Sequence, residues 1–277
     1  MCCSVLVFAW LLFTATPSRV DAQWMEAKSE HYSIFYRSGY ERDVEFTRAW
    51  LNRAEQLMKE KYSVTPEHYY MSVYLLPAPT GDIDTVQSGR NRCCTRGNVG
   101  INAGSIDLLA PSAPVWKEAN LKSSLGLPKA DEDFHSKVIL SEYIPIGYYE
   151  VQDARTSGGW RYYSAPEWFV QGLQEYDAIF HTTDANRDVT VKRLLEWARN
   201  NPTKFACCSP NLAIADIYNG GATFIAFLAA QFGEDVHARL LRSNASTFDE
   251  ALTNQTKPYS LPELFDRFRT WLDTGRP

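Results

Sequence analysis

The chain has 277 residues, with 28 Lys and Arg against 33 Asp and Glu, a formal charge of −5. Apolar residues make up 45% and charged residues 22%, ordinary globular values that exclude an extensively disordered or collagen-like chain. The mild acidic excess argues against a nucleic-acid partner, because gripping a phosphate backbone takes a basic stripe. A chain of this length buries roughly 70–75% of its unfolded surface and needs neither metal nor disulfide merely to fold.

Residues 4–13 form an apolar run. It is shorter than the about 20 residues that span a bilayer and suits the core of a secretory signal. Val20 and Ala22 put small residues ahead of a cleavage before Gln23. Residues 1–22 therefore read as a signal peptide and 23–277 as one secreted, extracellular domain without a membrane span; a signal anchor is the alternative. Cys2 and Cys3 leave with the signal, and 6 − 2 = 4 cysteines remain: Cys93, Cys94, Cys207 and Cys208. In an oxidising compartment an even count reads as disulfides. Two bridges joining the first pair to the second are expected, since neighbours bonded to each other close strained rings. A zinc site is disfavoured because adjacent cysteines lack the usual spacer. Asn244-Ala245-Ser246 and Asn254-Gln255-Thr256 are glycosylation sequons.

Residues 31–36 alternate like a half-buried strand, and 45–61 carry Phe46, Trp50, Ala54, Leu57 and Met58 near helical spacing. Residues 71–76 form a second strand ended by Pro77 and Pro79, and 80–105 read as loop with a short strand near 99–101. The pattern then turns helical. Helices are predicted over 134–148, from Pro166 to about residue 180, and over 189–200, 212–232 and 261–272, with short ones over 234–241 and 247–252. Strands before helices give an α+β fold. The strand-rich lobe covers about 28–125 and the helical lobe about 130–273.

Trp168, Gly172 and Tyr176 recur every four residues within 165–176. Residues 217–228 and 231–233 follow as a long apolar helix, and 248–252 and 261–272 close the chain. In order and spacing these stretches resemble the gluzincin metallopeptidases, the peptidase-MA-like group that includes thermolysin relatives. The resemblance implies a strand-rich lobe packed on a helical lobe with zinc between them. It also implies a His-Glu-x-x-His helix followed by one reading Trp-x-x-Glu-Gly-x-x-x-Tyr. The chain departs from the first motif. Aligned on the apolar run at 138–140, Ser141 stands at the first zinc-ligand position, Pro145 at the second and Gln171 at the third, while Glu142 keeps the general-base position.

Zinc in such sites takes two neutral imidazoles and a carboxylate, with water in the open position. A serine hydroxyl is a poor ligand, proline offers no donor, and a neutral amide oxygen is weaker than a carboxylate. Without metal-activated water, Glu142 has nothing acidified to deprotonate. Pro145 also costs about 3 kcal/mol inside a helix, so the helix is expected to end or kink near Ile144. A substitute site from His135, Glu142 and Glu175 fails on reach, because two helical turns separate the first two by roughly 10 Å. His31, His68, His181 and His237 read as surface or capping residues. No Gly-x-Ser-x-Gly elbow marks a serine hydrolase.

The reading is a secreted gluzincin-like pseudopeptidase with no cofactor, binding a peptide or protein in its former active-site cleft. Tyr143, Trp168, Glu175 and Tyr176 are the expected cleft residues. Trp168 and Tyr176 read as core packing ahead of ligand contacts, and the aromatic run Tyr143, Tyr148, Tyr149, Trp160, Tyr162 and Tyr163 equally as recognition surface or lobe packing. One alternative is an active hydrolase that uses Glu142 with a non-standard metal site, zinc included. Another is an effector glycoprotein whose old cleft plays no part.

Overall fold

The computed structural model describes residues 23–77, 95–99, 103–114, 132–155, 158–180, 187–208 and 212–274. The expected signal peptide, Cys93, Cys94 and His181 lie outside them.

Alternating apolar residues build one mixed sheet from β1 (Met25–Lys28), β2 (Tyr32–Tyr36), β3 (Tyr70–Leu76), β4 (Thr95–Val99) and β5 (Ala103–Leu109). Its strand order is β1-β2-β3-β5-β4. The central pairs β2–β3 and β3–β5 are parallel, and the outer pairs are antiparallel. Register aligns Ile34 with Val73 and Val73 with Ile106, so one face carries a buried apolar row. Helix α1 (Glu41–Leu57) connects β2 to β3 and buries Val44, Leu51, Ala54 and Leu57. A single π-turn (Met58–Tyr62) follows and ends at Ser63, whose φ is +53°.

The helical half begins with α2 (Glu132–Tyr143) and α3 (Pro145–Asp153). The expected break at Ile144 is present: Pro145 takes the first turn of α3, where its missing N–H costs nothing. Next come α4 (Glu167–Phe180), α5 (Arg187–Asn200), α6 (Asn219–Phe232), α7 (Val236–Arg242), α8 (Phe248–Gln255) and α9 (Leu261–Thr274). The architecture is α+β, a sheet followed by a mostly helical part.

Three local expectations need correction. Strand β1 was not legible, because a four-residue edge strand carrying Glu26 and Lys28 has almost no apolar pattern. The 80–105 stretch contributes β4 and the start of β5, not one short strand. The predicted 212–232 helix starts at Asn219, because Ala213–Ile214 (β7) pairs with Phe205–Ala206 (β6) in a hairpin. The carboxylate of Asp216 then receives the Asn219 and Gly220 N–H groups at 2.8 and 3.3 Å and opens α6.

Two contacts hold the helical half. The first is a helix crossing without side chains between the backbones. A Cβ added at Gly172 on α4 would stand 2.5 Å from the Gly221 carbonyl carbon on α6, and one added at Gly221 would overlap the Trp168 carbonyl oxygen. The second is a buried charge. Asp177 is fully buried and receives Lys61 Nζ at 2.6 Å, Tyr62 Oη at 2.5 Å and Tyr148 Oη at 2.7 Å. Burial first, and then the Asp177 charge, pushes both phenols well above their usual pKa and keeps them hydrogen-bond donors.

Three measurements follow from these contacts. Gly221→Ala forces backbone apart and is expected to cost about 1–3 kcal/mol by chemical denaturation. Asp177→Asn removes the carboxylate that pairs with the Lys61 ammonium, 7% exposed, and is expected to cost about 3–5 kcal/mol. The third concerns pH. Buried Glu150 on α3 accepts the Glu67 and His68 N–H groups at 2.8 and 2.7 Å and pairs with His68 Nδ1 at 2.8 Å. That hydrogen bond, and then the Glu150 charge, raises the His68 pKa above its ordinary 6.5. The contribution is complete below 6.5 and is lost as pH rises through the higher folded value. Stability of His68→Gln should lack this alkaline decline; an identical pH profile refutes the linkage.

Candidate functional site

Helix α4 presents two faces. Trp168, Gly172 and Tyr176, each one turn apart, form the face that packs into the core. The Trp168 ring lies edge-on to Phe224 at 5.4 Å and to Phe248 at 5.7 Å. Tyr176 Oη donates to Glu234 Oε2 at 2.8 Å, and the Lys61 ammonium stands 4.5 Å over its ring. Glu167, Gln171 and Glu175 share the same four-residue spacing on an accessible face.

Opposite that face lies α2, with Lys137, Ser141 and Glu142. Lys137 Nζ donates to Glu175 Oε2 at 2.5 Å, and the two side chains are only 23% and 15% exposed. Ser141 is buried, and its Oγ donates back to the Val138 carbonyl at 3.0 Å. Pro145 offers no N–H to the Ser141 carbonyl one turn earlier.

The third wall is Tyr218, 51% exposed, immediately before α6. Its phenol is raised above the ordinary pKa by lost hydration first, then by the charges of Glu175, Glu142, Glu167 and Asp216. The site therefore sets a phenolic donor within the influence of carboxylates from two helices, one of which, Glu175, pairs with the Lys137 ammonium.

The donor set does not fit zinc. Ser141 is committed to a backbone carbonyl, Pro145 carries no donor, and Gln171 is neutral. The ammonium of Lys137 starts one turn from Ser141 and ends on a carboxylate one turn from Gln171. Among the described residues no group of three His, Cys, Asp or Glu side chains converges as a metal site requires. His135 is buried on α2, two turns from Glu142.

Of the expected cleft residues, only Glu175 borders this site. Tyr143 is buried, donates to Glu55 Oε1 at 2.8 Å and lies edge-on to Tyr32. It is core, and so are Trp168 and Tyr176. Each recurs at the period of a face the helix spends on packing, which corrects their reading as ligand contacts. His237 is likewise buried, its Nε2 3.2 Å from the Ile225 carbonyl, and not a surface residue. In the aromatic run, Tyr148, Trp160 and Tyr162 are buried, whereas Tyr163 is 71% exposed.

The sulfurs of Cys207 and Cys208 lie beside each other as a candidate pair, and the expected bridges to Cys93 and Cys94 fall outside the described residues. Asn244 and Asn254 are both exposed. Their sequons differ: Ser246 is exposed, whereas Thr256 is fully buried and its Oγ1 donates to the Leu252 carbonyl at 3.0 Å.

Lys137 and Tyr218 went unnoticed in the sequence. A single lysine on a helix matches no metal-donor pattern, so Lys137 carries no signal of its own in the sequence. Tyr218 was hidden inside the predicted 212–232 helix; Asp216 followed by Gly220-Gly221 was the available signal of a helix start.

No protein-family model matches the chain and no curated protein matches it. Among solved structures it is similar to Legionella pneumophila aminopeptidase A in complex with aspartic acid, at 12% identity and TM-score 0.45, covering 91% of this chain and 28% of that one. It is also similar to a two-domain M1 zinc metallopeptidase mutant bound to L-arginine, at 12% identity and TM-score 0.44, covering 90% of this chain and 51% of that one. The chain thus spans about a quarter and a half of their lengths. Likeness at this level assigns neither family nor chemistry. No helix among the described residues is long and apolar enough to cross a membrane.

Proposed function

We propose that the chain is a secreted, glycosylated, disulfide-bonded, gluzincin-like pseudopeptidase, and that the site between α2, α4 and Tyr218 binds a peptide or another protein without cleaving it. The observation that carries this reading is the donor chemistry at the three ligand positions: a committed hydroxyl at Ser141, no donor at Pro145 and a neutral amide at Gln171. The accessible groups beside them suit recognition. Tyr218 offers a half-exposed ring and a protonated hydroxyl, and exposed Glu167 offers an acceptor for N–H groups. Secretion rests on the apolar run at 4–13 and the small residues before Gln23.

Elemental mass spectrometry of protein purified from a secreting cell line, without added metal, should find zinc far below one atom per molecule. A mature N-terminus at Gln23 should accompany it. Peptide-display selection should return ligands that bind intact, and Tyr218→Ala should weaken them about ten-fold, or about 1.4 kcal/mol. Stoichiometric zinc together with chelator-sensitive peptide cleavage would replace this reading with the hydrolase one.

A further inference from the structure

The ion pair between Lys137 and Glu175 has no place in a metallopeptidase site, and the zinc-ligand positions next to it have no place for zinc. We infer that these two facts are one: the Lys137 ammonium is the resident cation of this site, a built-in counter-ion that ties α2 to α4 where a metal-binding relative would use a divalent ion. The inference rests on the assignment of Ser141, Pro145 and Gln171 to ligand positions.

Three observations carry it. The pair joins the two helices that bear those positions, at 2.5 Å and across 38 residues of sequence. Its members stand one turn from the altered ligands on either side, Lys137 before Ser141 and Glu175 after Gln171. Both side chains are mostly withdrawn from solvent, so the attraction is screened far less than in a surface pair. The charge balance points the same way. The charges of Glu175, Glu142, Glu167 and Asp216 all act on the Tyr218 phenol, and Lys137 pairs with the first of them. Lys137 brings a cation that is part of the chain itself. It cannot be chelated away, and its charge opposes entry of a second cation.

Two sets of variants decide the matter. In the wild-type frame, Lys137→Met should lower the melting temperature by about 5 °C. Lys137→Arg should retain most of the wild-type value, and Lys137→Met/Glu175→Gln should recover most of the loss. Chelator should leave the wild type unchanged. A Lys137→Met melting temperature equal to wild type overturns the inference. The second set restores the ligands with Ser141→His/Pro145→His/Gln171→Glu, with and without Lys137→Met, and measures zinc by competition with a fluorescent chelator. Zinc should bind the variant lacking Lys137 about ten-fold more tightly, since the ammonium no longer repels it. Equal affinities overturn the counter-ion role and leave the proposed function standing. Two folded proteins that both fail to take zinc overturn the placement of the ligand positions, and with it both readings. If the restored variants do not fold, the melting series alone decides.

Discussion

A carboxylate without access to water governs how the two halves of this protein meet. Asp177 on α4 is fully buried and contacted by groups from both sides: Lys61 and Tyr62 from the π-turn after α1, and Tyr148 from α3. Stripping a carboxylate of water is expensive, and only good geometry with several donors offsets it. Those donors must arrive together, so the sheet-bearing half and the helical half have little freedom to dock in another way. The π-turn is part of that arrangement, since the same short wide turn carries both Lys61 and Tyr62. With α4 fixed on its inner side, Glu167, Gln171 and Glu175 are held toward α2 and Tyr218.

The α4 motif takes on a plain physical meaning in this light. Trp168, Gly172 and Tyr176 recur because one face of the helix meets α6 at backbone distance, with a large ring above and below the glycine. A pattern of this kind preserves a helix crossing and says nothing about chemistry on the other face. The chemistry depends on the interleaved positions, where the chain carries a hydroxyl at Ser141, a proline at 145 and an amide at Gln171. The packing frame and the reactive groups are separable because they use different faces of the same two helices.

Most of the helical half was legible in the sequence. Pro145 announces its own helix break, and the amphipathic runs at 45–61 and 261–272 match α1 and α9 to within a few residues. What escaped has physical causes. A four-residue edge strand has too few residues to show a period, and the apolar stretch at 212–217 satisfies helical spacing while pairing as a hairpin. The site was half legible. Ser141, Glu142, Gln171 and Glu175 border it as their spacing requires, but aromatic residues at helical period could not be told from core. Lys137 depended on a partner 38 residues away that no local pattern announces.

The two sequons present their acceptors differently, and this bears on when each is available. At Asn244 the flanking serine is exposed, so acceptor and hydroxyl are accessible in the folded chain. At Asn254 the threonine hydroxyl is spent on the Leu252 carbonyl of α8 and sealed from solvent. A transferase that must grip that hydroxyl can reach it only before α8 has wound and docked. In a chain glycosylated as proposed, occupancy at Asn254 relative to Asn244 would act as a molecular timer of whether sugar transfer outran the folding of the C-terminal helices.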